Sequence, residues 1–360
     1  MMMKREIKTS KGSIFAPFFM PDATRGLVKL LTSQELEQSG TEAVVVNTYH
    51  LLLQPGTRII KKFNGVHGFM DWERPVLSDS GGFQVFSLLY NNPRMGKIED
   101  DKVVFKSPLD GQEIDLTPEM SIRTQFDLGA DMMVCLDDCP PNNMGKNELK
   151  RSVGRTIAWA KRCRDEYDRL IKKRGEEYHK KPLLFAVIQG GGDLELRKYC
   201  AQELIDIGFD GYGFGAMPTN DKGEFDIKLL SYTAELIPDD AFKFALGIGN
   251  PEDIVNSAKA GWDMFDCVIP TREGRHGKIF ERLSQDPFSG GFYTSLNINN
   301  TKFKTDTTPI NKESGLDILR QYSRGYLHYL FKLKDPLGYR LASLNNLEFY
   351  NKLMRNIREQ

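Results

Sequence analysis

LLFAVIQGGGDLELRKYCAQELIDIGFDGYGFGAM, residues 183–217, reads as strand, helix, strand. LLFAVIQGG (183–191) is a short apolar run that ends in glycine. LRKYCAQELIDIG (196–208) is a helix-like stretch with a glycine stop, and DGYGFGAM (210–217) is apolar again. A run that is apolar at successive positions fits a strand buried on both faces, as in a parallel sheet. The same sign recurs on either side, in IFAPFFMPD (14–22), AVVVNTYH (43–50), PVLSDSGG (75–82), DMMVCLDD (131–138), FKFALGIG (242–249) and DMFDCVIPT (263–271). Helix-like stretches stand between many of them: SQELEQSG, PEMSIRTQFDLG, SVGRTIAWAKRCRDEYDRLIKKRG and NPEDIVNSAKAG. Several open on Pro-Glu or on a Ser, Thr or Asn followed by Glu, a helix-start pattern. Eight strands alternating with helices over roughly 270 residues predict an α/β fold, a (β/α)8 TIM barrel. A doubly wound open sheet is the structural rival, which periodicity alone does not separate.

The alternation stops after residue 272. A Ser/Asn/Gly-rich stretch follows, read as a surface loop over 284–300, and then a helical tail, SGLDILRQYSRGYLHYLFKL and ASLNNLEFYNKLMRNIREQ. The expected organisation is a catalytic barrel over 1–280 and a C-terminal, mainly helical appendage over 281–360. The run KKRGEEYHKK (172–181) reads as a solvated helix end and loop, and no internal repeat is evident.

Composition narrows the function class. The chain has 360 residues, 40% hydrophobic and 27% charged, which excludes disordered and collagen-like chains. No apolar stretch is long enough to span a membrane, and the N-terminus lacks the apolar core of a secretion signal. Five cysteines without a CxxC fit a reducing compartment, so a cytoplasmic location is expected. Net charge is zero, but residues 271–360 hold 15 Lys/Arg and 9 Asp/Glu. A basic C-terminal quarter could place a polyanion at one end of the molecule.

In a barrel the active site lies at the C-terminal ends of the strands. Those ends carry Asp22, Asn47 with His50, Asp79, Asp137 with Asp138, Gln189, Gly215 to Met217, Gly247 to Gly249, and Asp266. Any one Asp reads as the cap of the next helix. Several carboxylates round one mouth read instead as acid/base or nucleophilic chemistry. Two carboxylates are the minimum set for attack at an anomeric carbon with proton transfer to the leaving group. A glutamine and the amides of Gly-rich turns suit a flat heterocycle.

DSGGFQVFSL (79–88), NTYHLLLQPG (47–56), IQGG (188–191), MFDCVIPTREGRHG (264–277) and YSRGYLHYL (322–330) resemble the tRNA-guanine transglycosylase family, from about residue 5 to the C-terminus. The resemblance implies a (β/α)8 barrel that exchanges the wobble guanine of GUN-type tRNAs for a 7-deazaguanine in queuosine modification. It implies Asp266 as nucleophile, Asp79 as general acid/base, Asp137 with Gln189 as the base-recognising pair, and Phe83 as the stacking aromatic. It puts Gly215, Ala216, Met217 and Leu246 around the base, and Arg272 and Arg275 on the anticodon loop. The implied partners are tRNA and the base, with a homodimer expected and no membrane. A non-catalytic tRNA-binding subunit and a DNA substrate are the alternatives.

Two departures alter what the resemblance implies. The family's structural zinc site, CxCxxC with a later His, aligns with Ser314, Leu316, Leu319 and Asn345, so no zinc and no other cofactor or metal is expected. Leu316, Leu319 and Leu344 are candidates for an apolar replacement. After the sixth strand, where bacterial members read GGLAVGE, the chain reads GAMPTND (215–221). The 7-aminomethyl base is expected, with the nitrile form and queuine as alternatives.

Overall fold

A computed structural model describes residues 5–141, 144–175, 181–220 and 222–360. All eight apolar runs form parallel strands: β1 (Phe18–Pro21), β2 (Val44–Asn47), β3 (Val76–Asp79), β4 (Met132–Val134), β5 (Leu183–Ile188), β6 (Gly211–Phe214), β7 (Phe242–Ala245) and β8 (Met264–Cys267). They neighbour one another in chain order. β8 pairs with β1 from Met264 opposite Phe18 to Cys267 opposite Pro21. β1 runs on to bridge β2 through Asp22 and Val45, and the Ala23 N–H donates to the Val45 carbonyl at 2.7 Å. The sheet therefore closes, which decides against the open doubly wound rival.

Alternation along the strands fills the barrel. Phe18, Met20, Leu77, Val134, Phe185, Val187 and Phe244 pack inside. Phe19, Ala186, Ile188, Phe214 and Phe265 point outward to the helices. The N-terminal hairpin, Glu6–Thr9 paired with Gly12–Phe15, stops the lower end by adding Ile7 and Ile14 to the inner cluster.

One local device sets strand register three times, although the sequence shows no obvious repeat. Gly129-Ala130-Asp131, Gly208-Phe209-Asp210 and Gly261-Trp262-Asp263 each link a helix to the next strand. The glycines have φ of 70°, 88° and 92°, which turn the chain where an L side chain would be strained. Each Asp then serves two strands. Its carboxylate accepts from the backbone N–H of Val76, Leu184 or Lys243 at 2.8–2.9 Å. Its carbonyl accepts from Leu183, Phe242 or Phe18 at 2.9–3.1 Å.

Three features differ from the sequence reading. A three-stranded antiparallel sheet, Gly96–Ile98, Val103–Lys106 and Glu113–Leu116, follows β3. The stretch read as a loop over 284–300 contains the strand Tyr293–Asn297, paired with Lys278–Arg282. Phe292 and Ile298 bury beside it and hold it down. Phe280, at the expected boundary, lies inside the strand Lys278–Arg282. The last helix, Pro336–Glu359, packs along β1 and against the helix Ile269–Arg275. From it Asn346 donates to the carbonyls of Pro270 and Lys278, both at 2.9 Å, and Tyr350 to that of Gly249 at 2.5 Å. It thus buttresses the loops at the C-terminal ends of β7 and β8. Of 172–181, the helix part ends at Arg174, and residues 176–180 lie outside the described residues.

Candidate active site

The C-terminal ends of the strands surround a cavity of about 520 Å³, within the usual range for a small-molecule cleft. Its wall carries Asp22, Asn47, Asp79, Asp137, Gln189 and Asp266. Phe83, Gly215, Ala216, Met217, Leu246 and Arg272 also line it. Below them lie Leu77, Val134, Val187 and Phe244, the top of the barrel interior. An apolar floor under Asp79, Asp137 and Asp266 withholds solvation from them, and the neutral form of each gains.

Asp79 ends β3 and is tied by three donors. Asn47 Nδ2 reaches Oδ2 at 2.6 Å, and the N–H groups of Thr48 and Gly81 reach Oδ1 at 3.2 and 3.0 Å. Burial nevertheless raises its pKa to about 7, assisted by the charge of Asp266. Asp266, in β8, accepts from the Gly247 N–H at 2.9 Å. Burial raises it to about 6, with a further push from Asp22. Both carboxyls therefore keep a proton to a higher pH than a free carboxyl does, because burial disfavours their charged forms.

Asp137 follows β4, is 8% exposed, and accepts from Gln189 Nε2 at 2.7 Å. Burial raises it to about 7 against that bond, and Asp138 adds to the rise. The other end of the Gln189 amide, Oε1, is buried without a partner among the described residues. A buried acceptor left open beside a carboxylate fits a ligand that brings its own donors. Gly215 is needed here for room: a Cβ on it would lie 2.5 Å from the Gln189 amide carbon. Ala216, next in the chain, has φ of 87°, a conformation costly for any residue with a Cβ. Phe83 stands at the lip on the helix Gly82–Asn91, 54% exposed, and Met217 is equally exposed.

Some residues of the expected ring lie elsewhere. Asp138 turns away from the cavity because its neighbour Asp137 takes the inward side. Its Oδ2 accepts from Arg155 Nε at 2.8 Å, and its carbonyl from Ser152 at 2.7 Å. His50 stands on the helix Thr48–Leu53, off the cavity wall. Of the two arginines expected on the anticodon loop, Arg272 reaches the rim. Arg275 is half-buried behind it, its Nη1 without a partner. Sequence reasoning placed Gly247 at the mouth and expected donors from Gly-rich turns, but it did not foresee that the Gly81 N–H holds Asp79 and the Gly247 N–H holds Asp266.

The place aligned with a zinc site has the wrong donors for one. Leu319 and Leu344 are buried among Ile279, Ile298, Phe303 and Leu327, with Leu316 packed against them. Ser314 Oγ donates to Glu348 at 2.5 Å, and the Gly315 N–H donates to the same carboxylate at 2.6 Å. Lys352 pairs with it at 2.8 Å. Asn345 donates to the Phe280 carbonyl at 2.9 Å and accepts from Asn311 at 3.1 Å. Zinc takes about four thiolate, imidazole or carboxylate ligands, and one carboxylate already engaged by three donors does not supply them. Among the described residues no group of three or more His, Cys, Asp or Glu is gathered as for a metal.

Known proteins resemble this chain along almost its whole length. The family model of queuine tRNA-ribosyltransferase matches residues 5–360. A queuine tRNA-ribosyltransferase of Actinobacillus pleuropneumoniae serotype 3 (strain JL03) is 39% identical over 373 residues, covering 99% of this chain and 92% of the relative. That of Francisella tularensis subsp. novicida (strain U112) is 40% identical over 354 residues, 98% of this chain and 90% of the relative. That of Halothermothrix orenii is 38% identical over 353 residues, 98% and 88%.

Proposed function

The chain belongs to the queuine tRNA-ribosyltransferase family, and on that premise we propose a double displacement at the barrel mouth as its mechanism. It is a tRNA-guanine transglycosylase of queuosine modification, acting on tRNA and a 7-deazaguanine-type base. In the proposed reaction Asp266 attacks C1′ of the wobble nucleotide as the bond from C1′ to guanine N9 breaks. The bonding electrons leave with guanine, which takes a proton from Asp79. The ribosyl–aspartate ester keeps the tRNA attached while the bases change places. Asp79 then removes the N9 proton of the incoming base, whose nitrogen attacks C1′ and frees Asp266. The observation that carries this reading is the placement of Asp266 and Asp79 together on one cavity wall, both buried and both with a raised pKa.

Asp137 accepts the N1–H and 2-amino donors of the base, with Gln189 beside it and Phe83 stacked on the ring. Gly215, Ala216, Met217 and Leu246 border its 7-substituent. The wobble nucleotide must be extruded from the anticodon loop to reach this depth, and Arg272 with Arg275 contacts the loop. The incoming base is the 7-aminomethyl form: Asp22, Asp79, Asp137 and Asp266 line the cavity, and a cationic substituent is attracted by whichever of them is ionised. The C-terminal part holds without a structural metal, Glu348 taking the tying role. The location is cytoplasmic, and the protein is a homodimer, with Tyr326, Tyr329 and Leu333 as an exposed apolar face. Among the described residues no helix is long and apolar enough to cross a membrane.

Incorporation of labelled guanine into a tRNA with a guanine wobble base tests the exchange. Wild type incorporates it and Asp266→Ala does not. Competition by aminomethyl, nitrile and queuine bases identifies the incoming base, and tighter competition by the nitrile form or queuine would overturn the aminomethyl assignment.

A further inference from the structure

Arg197 is a long cationic side chain with no solvent exposure. Among the described residues no carboxylate pairs with it. Its guanidinium is spent on backbone carbonyls instead. Nε and Nη2 donate to Gly191 at 3.1 and 2.8 Å, Nη1 to Ile188 at 3.2 Å, and Nη2 also to Gly215 at 2.9 Å. The guanidinium carbon lies 4.4 Å from the centre of the Phe214 ring, so a π-face covers the charge where water would otherwise stand. Burial lowers its pKa to about 10, which leaves it protonated at neutral pH.

The acceptors identify its task. Ile188 and Gly191 bracket Gln189, the amide that holds Asp137. Gly215 packs on that amide and leads into Ala216. Arg197 projects from the helix Leu194–Ile207, whose Cys200, three residues on, accepts the Gln189 N–H at 3.4 Å. One helix face thus grips the Gln189 turn, and one guanidinium spans from it to the Gly215 turn. A planar fork with fixed donor directions can do this, whereas an ammonium cannot serve both turns at once.

We propose that Arg197 is a positioning residue for base recognition, fixing the separation of the Gln189 and Gly215 turns so that the base slot keeps its shape while empty. This rests on the exchange reading, in which one base has left and the next has not entered. A slot that collapsed at that stage would have to be rebuilt by the incoming base, at the expense of its affinity.

The test is the KM for guanine in Arg197→Lys, which keeps the charge and loses the fork. The expected result is a rise of about tenfold or more, since roughly one hydrogen bond's worth of positioning is lost. Affinity for tRNA in a mobility-shift assay stays within about twofold, because its phosphate contacts lie elsewhere. A wild-type KM for guanine, with activity reduced only in step with the folded fraction, overturns the proposal. Wild type failing to exchange guanine would overturn the exchange reading and this proposal together. Hydrogen exchange in the wild-type protein makes the test independent of whether the variant folds. Amides of residues 188–192 and 214–217 are expected to be protected equally with and without guanine, and turns that become protected only on adding guanine overturn it.

Discussion

Replacing Asp137 by Asn should stabilise the protein at alkaline pH while disabling it. Burial raises the Asp137 carboxyl from 3.8 to about 7. A carboxyl raised on folding supports the fold while protonated, and that support is lost as pH rises through the folded value. The wild-type protein therefore carries a buried charge above pH 7 that an amide of the same shape lacks. The interval from 3.8 to about 7 corresponds to at most about 4 kcal/mol. For a chain of this length that is a rise in Tm of up to about 5 °C. The amide also has a partner waiting, because the open Gln189 Oε1 can accept its N–H. Thermal unfolding of both proteins at pH 5 and pH 8 is the assay. The difference in Tm should be larger at pH 8, and guanine exchange should fall by at least about a hundredfold at both. Equal Tm differences at the two pH values, or a variant less stable at pH 8, would refute the reasoning.

Four further outcomes follow from the same geometry. The pH profile of kcat/KM should be a bell, limited below by ionisation of Asp266 near 6 and above by loss of the Asp79 proton near 7. A profile flat from pH 5 to 8 would contradict those roles. Ala216→Gly relieves a residue held at φ 87° and, after the greater freedom of glycine in the unfolded chain, should stabilise by about 0.5 kcal/mol. Calorimetry showing a clearly lower Tm would argue against strain there. Glu348→Ala strips Ser314, Gly315 and Lys352 of their common acceptor and should cost about 2–4 kcal/mol. A chelator should leave the wild-type Tm unchanged, and about one zinc per purified chain would refute the metal-free reading.

The eight parallel strands were readable because most of them sit in continuous apolar runs, whereas closure into a barrel rests on the pairing of β8 with β1 and of β1 with β2. The sheet at residues 96–116 was not, since strands of three and four residues such as GKI and EIDL carry too little pattern. The strand Tyr293–Asn297 hid in a stretch rich in Ser, Asn and Gly, and only burial of Phe292 and Ile298 distinguishes it from a loop. The acidic ring was legible from position, strand end by strand end. Position alone did not say which of two adjacent aspartates faces inward, and only the family resemblance picked Asp137: Asp137 and Asp138 have the same chemistry, and Arg155, elsewhere in the chain, takes the second. Arg197 and Glu348 were the least legible. A charged residue in a helix reads as solvated, and here both are buried because backbone groups in distant loops need them.

The central claim is a covalent bond between Asp266 and the wobble ribose. Quenching wild-type protein with tRNA under denaturing conditions, then nuclease and protease digestion and mass spectrometry, tests it most directly. A ribosyl adduct on the peptide containing Asp266, absent in Asp266→Asn, is the predicted result. Exchange of guanine by wild type with no adduct, or with the adduct on Asp79, would contradict it.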